Sequence, residues 1–383
     1  TQGLASAVFG FYAGAVYLTP ILGGLLADRL LGRRRTIIAG ALLMATGHFL
    51  MAFEQPFLVA LLCLVLGNGC FKGNIASQVG GLYPKGDHRA ADAFQIFYLG
   101  INGGVIAAPL ICGTLGEKVG WHWGFAAAGI GMLLGLTIYL SGTRYLPPEV
   151  RAARGGAERV RLKPGEGKVL LLLILMLPVF AVLMVGNQEI FNAYLVWAQR
   201  TADLNLMGHP LPITWLITLD TIASVSFLAG AVVFWQTWAR YLPEPDELTK
   251  IIIGAIVSVT GFLTLAAAAA WSATTGLKIG IGWLVAFHVL NSIGFANILP
   301  VSLALYSRSA PAALGATILG VYYLHLFAAN TLVGWVGGLL DKMPATQFWL
   351  LHAAMAGAAA VVFMVVKPLF GGLLGKAPSA AGS

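Results

Sequence analysis

The residues most able to do chemistry in this chain are a few polar and charged side chains inside long apolar runs. The clearest sits in Gly67-Asn68-Gly69-Cys70-Phe71-Lys72-Gly73-Asn74. The surrounding apolar run, from about Phe57 to Val79, is long enough to cross a ~30 Å hydrocarbon core as a helix rising ~1.5 Å per residue. Lys72 then lies at membrane depth, where a lysine costs roughly 2.5–3.5 kcal/mol on insertion scales. Such a charge calls for a partner or a watery cavity, and the flanking glycines let a second helix, water or ligand come close. The reading adopted is that Lys72 lines a polar cavity between helices. The alternative, a lysine snorkelling to the interface, is disfavoured by Asn74 and Gln78 beyond it and by the short length of helix that remains.

Two further stretches stand out. Phe97-Tyr98-Leu99-Gly100-Ile101-Asn102-Gly103-Gly104 is followed by Pro109. Asn102 is an amide that must find partners in an apolar run. Pro109 opens the backbone ladder and can bend the helix. A cavity-facing kinked helix and a helix-packing motif with Asn102 as interhelical glue are both open. The second stretch, Ala27-Asp28-Arg29-Leu30-Leu31-Gly32-Arg33-Arg34-Arg35, is a charged loop. Asp28 there can cap a turn and pair with Arg29 or Arg33 as a conformational latch, or the loop can simply be topogenic. His48, His288 and His325 also fall within apolar runs. Each reads first as a hydrogen-bonded packing residue and only second as a proton carrier.

The elements that must hold these residues follow from composition. The 383-residue chain is 58% hydrophobic and 10% charged, against ~25% charge in a soluble domain. It reads as a polytopic membrane protein, and the runs are too long for barrel strands, so the spans are helical. Eleven are expected: 4–27, 36–53, 57–80, 92–113, 122–146, 168–197, 212–239, 250–271, 279–306, 312–340 and 347–369. Of the 23 Lys/Arg, 18 fall in loops on one side and four on the other, which places the C-terminus in the cytoplasm and Thr1 outside. The expected organisation is a five-span half at 1–146, a cytoplasmic linker at 147–167, a six-span half at 168–370 and a disordered tail at 371–383. The odd count leads us to expect one further span before Thr1.

Several functions are disfavoured by the same reading. The +8 net charge sits in short loops, so it is no nucleic-acid signal. Cys63, Cys70 and Cys112 lie in apolar runs and read as packing residues. No spacing suits a metal, a phosphate-cradling loop or a nucleophile with its base, so neither a cofactor nor enzymatic activity is expected. A monomer in the lipid bilayer, in a bacterial inner membrane, is the expected setting.

Taken together, the motifs resemble a known family. The pattern Gly-x-Gly-x-Phe-Lys-x-Asn at 67–74 and Phe-Tyr-x-x-Ile-Asn-x-Gly at 97–104 resembles the two signatures of the proton-dependent oligopeptide transporters, a family of the major facilitator superfamily. Asp28-Arg29-Leu30-Leu31-Gly32, Gly120-Trp121-His122-Trp123-Gly124-Phe125 and Ala310-Pro311 fit as well. The resemblance implies an all-α bundle of twelve core helices in two six-helix halves, with the first helix lying ahead of this chain. It also implies symport of protons with di- and tripeptides into the cytoplasm by alternating access. By resemblance, Lys72 serves coupling and substrate binding, Asn102 holds the peptide's amino end, and Tyr17 is a cavity tyrosine. Tyr322 stands where the family usually has a cavity tryptophan.

The second half departs from the pattern. Where the family has Glu-Gln, this chain reads Asn187-Gln188-Glu189, so the carboxylate has moved one position or the register differs. Phe295 stands where a glutamate is expected to meet the peptide's amino group, and Asp220 stands where the family has an asparagine. A proton-coupled carrier needs a titratable group whose environment changes through the cycle. Glu189 and Asp220 are the candidates, and Asp220 is expected to take the charge role lost at Phe295. The implied cavity has Tyr17, Lys72 and Asn102 on one wall and Gln188, Glu189, Asp220, Phe295 and Tyr322 on the other. A divergent carrier of another small solute, such as nitrate or an amino-acid derivative, is the alternative. A membrane protein that does not transport is a remote one.

Overall fold

The computed structural model describes residues 1–82, 89–146, 165–206, 208–311 and 314–374. Of the linker expected at 147–167 and the tail at 371–383, residues 147–164 and 375–383 lie outside the described residues. The described chain is helical apart from a two-residue hairpin, β1 (Asn205–Leu206) against β2 (His209–Pro210). Among the described residues, ten helical segments are long and apolar enough to cross a membrane. The expected span at 36–53 is also a helix, Arg33–Leu50, but it is absent from those ten because its mean hydropathy is diluted by three arginines and several small polar residues.

The chain divides into two compact units, Tyr12–Ala157 and Glu158–Ser383 together with Thr1–Phe11. The boundary near 157 lies within the expected linker. The grouping of the first eleven residues with the C-terminal unit has a local cause. There the start of α1 (Gln2–Leu26) meets α13 (Leu324–Val336) with Gly10 set against Asn330 and Gly334.

In the first unit, α2 (Arg33–Leu50) and α3 (Phe57–Gly80) meet along small residues, with Ala41, Ala45, Ala60 and Leu64 buried. The closest approach is between α1 and α3: a Cβ on Gly23 would overlap the backbone of Gly69, so only glycine fits. Asn74 clamps the same junction, donating to the Gly23 carbonyl at 3.1 Å and the Cys70 carbonyl at 2.9 Å. Next come α4 (Arg89–Ala108), α5 (Thr114–Lys118) and α6 (Trp121–Gly142). Pro109 opens a wide five-residue turn, Pro109–Gly113, between α4 and α5. A proline that cannot donate to the helical ladder suits such a widened turn.

In the second unit, α7 (Glu166–Glu189) breaks at Ile190–Asn192 and resumes as α8 (Ala193–Thr201). The two form a single apolar span, Glu166–Thr201. Then follow α9 (Trp215–Trp238), α10 (Glu247–Thr275), α11 (Ile281–Ser309), α12 (Gly315–Tyr322), α13 and α14 (Ala345–Leu374). Asp246 caps α10 by accepting from the Thr249 amide at 2.8 Å. The core of this unit is aromatic: Phe180, Tyr194, Phe262, Phe287, Tyr306, Tyr322, Phe348, Trp349 and Phe363 are all fully buried. Large apolar side chains left outside, such as Leu58, Leu62 and Leu66 along one face of α3, suit contact with lipid.

Candidate functional site

In the first unit, Lys72 and Tyr17 come together. The Lys72 ammonium lies 4.8 Å from the centroid of the Tyr17 ring, within range of a cation–π contact. Lys72 itself is exposed. At ~100° per residue it points roughly a quarter turn away from the Leu58–Leu66 stripe, toward α1. Among the described residues, no carboxylate pairs with it. Asn102 is half-buried, and its amide donates to the Tyr98 carbonyl one turn back at 2.9 Å. Among the described residues no donor meets its carbonyl oxygen, so that end can meet something outside its own helix.

The residues expected to form a latch make only a loose contact. Asp28 and Arg33 are 3.9 Å apart and both about half exposed, a geometry worth little in water. Arg29 is exposed. The contact that ties this loop to another helix comes instead from Arg34, which donates to the Thr143 hydroxyl at 3.0 Å. Nothing in the run Arg33-Arg34-Arg35 distinguishes its middle arginine, so the choice is made by where α6 ends.

In the second unit, the helix break after Glu189 builds a polar centre. Glu189 is fully buried. Its Oε1 accepts from the Asn192 amide at 2.9 Å and from the Ala193 backbone N–H at 3.1 Å. The carboxylate thus satisfies a donor at the start of α8, where a helix favours negative charge. Its Oε2 faces His352 Nε2 at 3.6 Å. A Cβ on Gly337 would run into Glu189 and Asn192, so the cradle closes only around glycine. Asn192 in turn accepts from Ser6 at 3.2 Å, and Ser6 from Gln2 at 3.2 Å. Gln188 accepts from the Asn330 amide at 3.2 Å.

Asp220 is buried too, and it does not stand open to a ligand. Its Oδ1 accepts from His288 Nδ1 at 2.9 Å, and His288 Nε2 lies 2.9 Å from the Tyr194 hydroxyl. The three residues come from α9, α11 and α8. Ser224 and Ser292, one turn further along α9 and α11, meet at 3.3 Å, so the two helices run in register here. Phe295 is half-buried on α11 two turns after His288. Tyr322 differs from the expected cavity wall. It is fully buried, its hydroxyl is 2.7 Å from Ser302 Oγ and donates to the Leu299 carbonyl at 3.2 Å, and its ring lies among Tyr306, His325 and Phe180.

Of the histidines weighed from sequence, His288 is the one paired with a carboxylate. His325 places its Nδ1 2.5 Å from the Tyr322 carbonyl. His352, Tyr194 and Asn192 escaped the sequence reading. His352 carries the same signal that marked Lys72, a lone polar residue well inside an apolar span. Asn192 follows the Asn187-Gln188-Glu189 cluster by only three residues. Among the described residues, no cluster of three or more His, Cys, Asp or Glu could hold a metal.

Comparison with known proteins bears on both units. A sequence model of the POT family (PTR2) matches residues 34–151 and 166–354. The chain is 28% identical to the uncharacterized transporter YclF of Bacillus subtilis, covering 97% of this chain and 87% of that one. It is also 28% identical to the peptide transporter YePEPT of Yersinia enterocolitica, covering 95% and 86%, and 24% identical to a di-/tripeptide transporter of Lactococcus lactis, again covering 95% and 86%. Among solved structures, a mutant of the peptide transporter POT in complex with alafosfalin aligns with a TM-score of 0.86 at 23% identity, over 98% of this chain and 88% of that one. A POT family transporter in complex with 5-aminolevulinic acid aligns at 0.85 and 20% identity, over 98% and 89%. At such identities the structures establish the fold, an all-helical transporter bundle. With two family segments that take in most of both units, the chain belongs to the POT family of membrane transporters.

Proposed function

We propose that this protein imports di- and tripeptides together with protons. The observation that carries the reading is Lys72: a cation at membrane depth, exposed, steadied by the Tyr17 ring and without a carboxylate among the described residues. An ammonium so placed suits the carboxylate end of a short peptide. The Asn102 carbonyl oxygen, an acceptor, suits the amino end. The relatives named as peptide transporters, at 24–28% identity, support the same substrate class. Glu189 and Asp220 are the groups assigned to proton coupling, and Gln188 and Phe295 are assigned to substrate contact within the second unit. Asp28, Arg29 and Arg33, joined by Arg34, are assigned to the latch. The assigned orientation has the C-terminus in the cytoplasm.

The test is uptake of a labelled dipeptide into proteoliposomes with and without an inward proton gradient. Accumulation should require the gradient, and unlabelled di- and tripeptides should compete. Lys72→Ala should abolish accumulation, and Lys72→Arg should restore part of it. Gradient-independent uptake, or indifference to Lys72→Ala, would sink the reading.

A second reading draws on Phe295 and Asp220. With a phenylalanine at the expected glutamate position and Asp220 turned to His288, the second unit offers little to an α-ammonium group. That favours a small solute lacking one, such as nitrate, or an amino-acid derivative. Competition by these solutes, but not by peptides, would select this reading.

A further inference from the structure

Glu189 and His352 pose a problem of hydrogen counting. Both are fully buried. His352 Nδ1 lies 2.8 Å from the Phe348 carbonyl. A carbonyl can only accept, so Nδ1 carries the hydrogen. In a neutral imidazole that leaves Nε2 as a bare acceptor, and Nε2 faces Glu189 Oε2 at 3.6 Å. Neither atom has any other hydrogen-bond partner. An ionised glutamate opposite a neutral histidine would therefore set two lone pairs against each other in a dry core, an arrangement that buried polar groups avoid. One added proton resolves it. Carried by Nε2 it gives imidazolium and carboxylate, and carried by Oε2 it gives carboxylic acid and neutral imidazole. Either way the pair is electrically neutral and the facing atoms become donor and acceptor.

We propose that Glu189 and His352 share a single exchangeable proton between Oε2 and Nε2, and that this is the proton carried by the transport cycle. The proposal rests on the proton-coupled reading above and adds His352, on the last helix, as the second half of the coupling site. The proton comes from water on the side that feeds the cycle and is returned to water on the other. No electron transfer is involved. The hydrogen-bonded series Gln2, Ser6, Asn192, Glu189 links the pair to the start of α1, the end of the chain expected to face outside. Loosening of that series would admit water to the pair.

The titratable neighbours are few. On α8 there is Tyr194, and beyond it His288 on α11 and Asp220 on α9. On α13 there is His325, engaged with Tyr322. The Arg200–Asp341 pair is exposed at 2.7 Å. Neither α7 between Lys168 and Glu189 nor α10 after Lys250 carries a titratable residue, and α14 carries only His352 and Lys367. Among the described residues, no charge other than His352 is paired with Glu189.

Infrared difference spectroscopy of the purified full chain in lipid, stepped between neutral and alkaline pH, reads the proton directly and needs no substrate. The wild type should lose one carboxylic-acid or imidazolium signal on alkalinisation. Glu189→Gln and His352→Gln keep an amide donor in the gap and should each abolish that signal. The double variant should lose no more than either single, because both remove the same proton. A signal that survives in either single variant, or a double loss in the double variant, overturns the proposal. In proteoliposomes, the same singles should lose gradient-driven accumulation of dialanine, with a wild-type helical circular-dichroism spectrum and a monodisperse gel-filtration peak showing that they are folded. If wild type fails to accumulate dialanine, the peptide reading falls while the infrared result still decides the shared proton. If neither variant folds, nitrogen-15 imidazole spectra of the wild type decide: any state with two unprotonated atoms facing each other at neutral pH overturns it.

Discussion

Two carboxylate–histidine pairs lie in the same unit, and they differ in which group takes the imidazole hydrogen. In the Asp220–His288–Tyr194 series, the carboxylate itself meets Nδ1, and the Tyr194 hydroxyl can donate to Nε2. A neutral histidine satisfies everything, and none of the three residues leaves a buried polar atom without a partner. In the Glu189–His352 pair, a backbone carbonyl takes the Nδ1 hydrogen, and the nitrogen left over faces the carboxylate empty. The first arrangement is satisfied by the hydrogens that a neutral histidine and the tyrosine hydroxyl already carry. The second is complete only with one more proton. Similar residue types at similar depth therefore acquire different roles from a single backbone carbonyl, that of Phe348.

Substitutions that remove one partner from each pair test this contrast. Glu189→Ala strands the Asn192 amide, the Ala193 N–H and His352 together and should cost about 3–5 kcal/mol, read as the largest drop in apparent melting temperature. Asp220→Ala strands one ring N–H and should cost about 1–3 kcal/mol. Equal losses would erase the distinction. Tyr194→Phe removes only the hydroxyl from Nε2 and should cost about 1–2 kcal/mol, with proton-driven uptake retained if the Asp220 series is structural.

Exposed groups set the baseline. Asp246 caps α10 and also meets Lys367 at 3.3 Å. Partial burial pushes its carboxyl up, but the Thr249 hydroxyl and amide, with Lys367, outweigh this and hold it below the usual range. Its contribution is therefore full above the unfolded pKa of ~3.9 and is lost as pH falls through the lower folded value. Asp246→Ala should cost about 1 kcal/mol near neutrality, and the difference from wild type should shrink under strong acid. Arg34→Ala breaks the exposed bond to Thr143 and should cost about 0.5 kcal/mol or less, below any effect at the buried pairs.

Much was readable from residue order alone. Long apolar runs punctuated by basic loops dictate a helical membrane protein, because a backbone in lipid must satisfy itself. The signatures around Lys72 and Asn102 identify the family, and Pro109 marks the widened turn at 109–113 because a proline cannot donate wherever it sits. These features are local, and local chemistry settles them. Partnership was not readable. Tyr322 was expected at a cavity wall and is fully buried among Tyr306, His325 and Phe180. Arg34 makes the loop's interhelical contact because the end of α6 arrives beside it. His352 has no motif around it at all. Its meaning depends on α14 lying against the break after α7, more than 160 positions earlier in the chain. Sequence determined that charges would be held in the membrane, since their cost is a property of residue and span. Only the tertiary structure decided which acceptor each histidine faces, because hydrogen-bond direction is set by geometry between helices and leaves no mark on spacing within one.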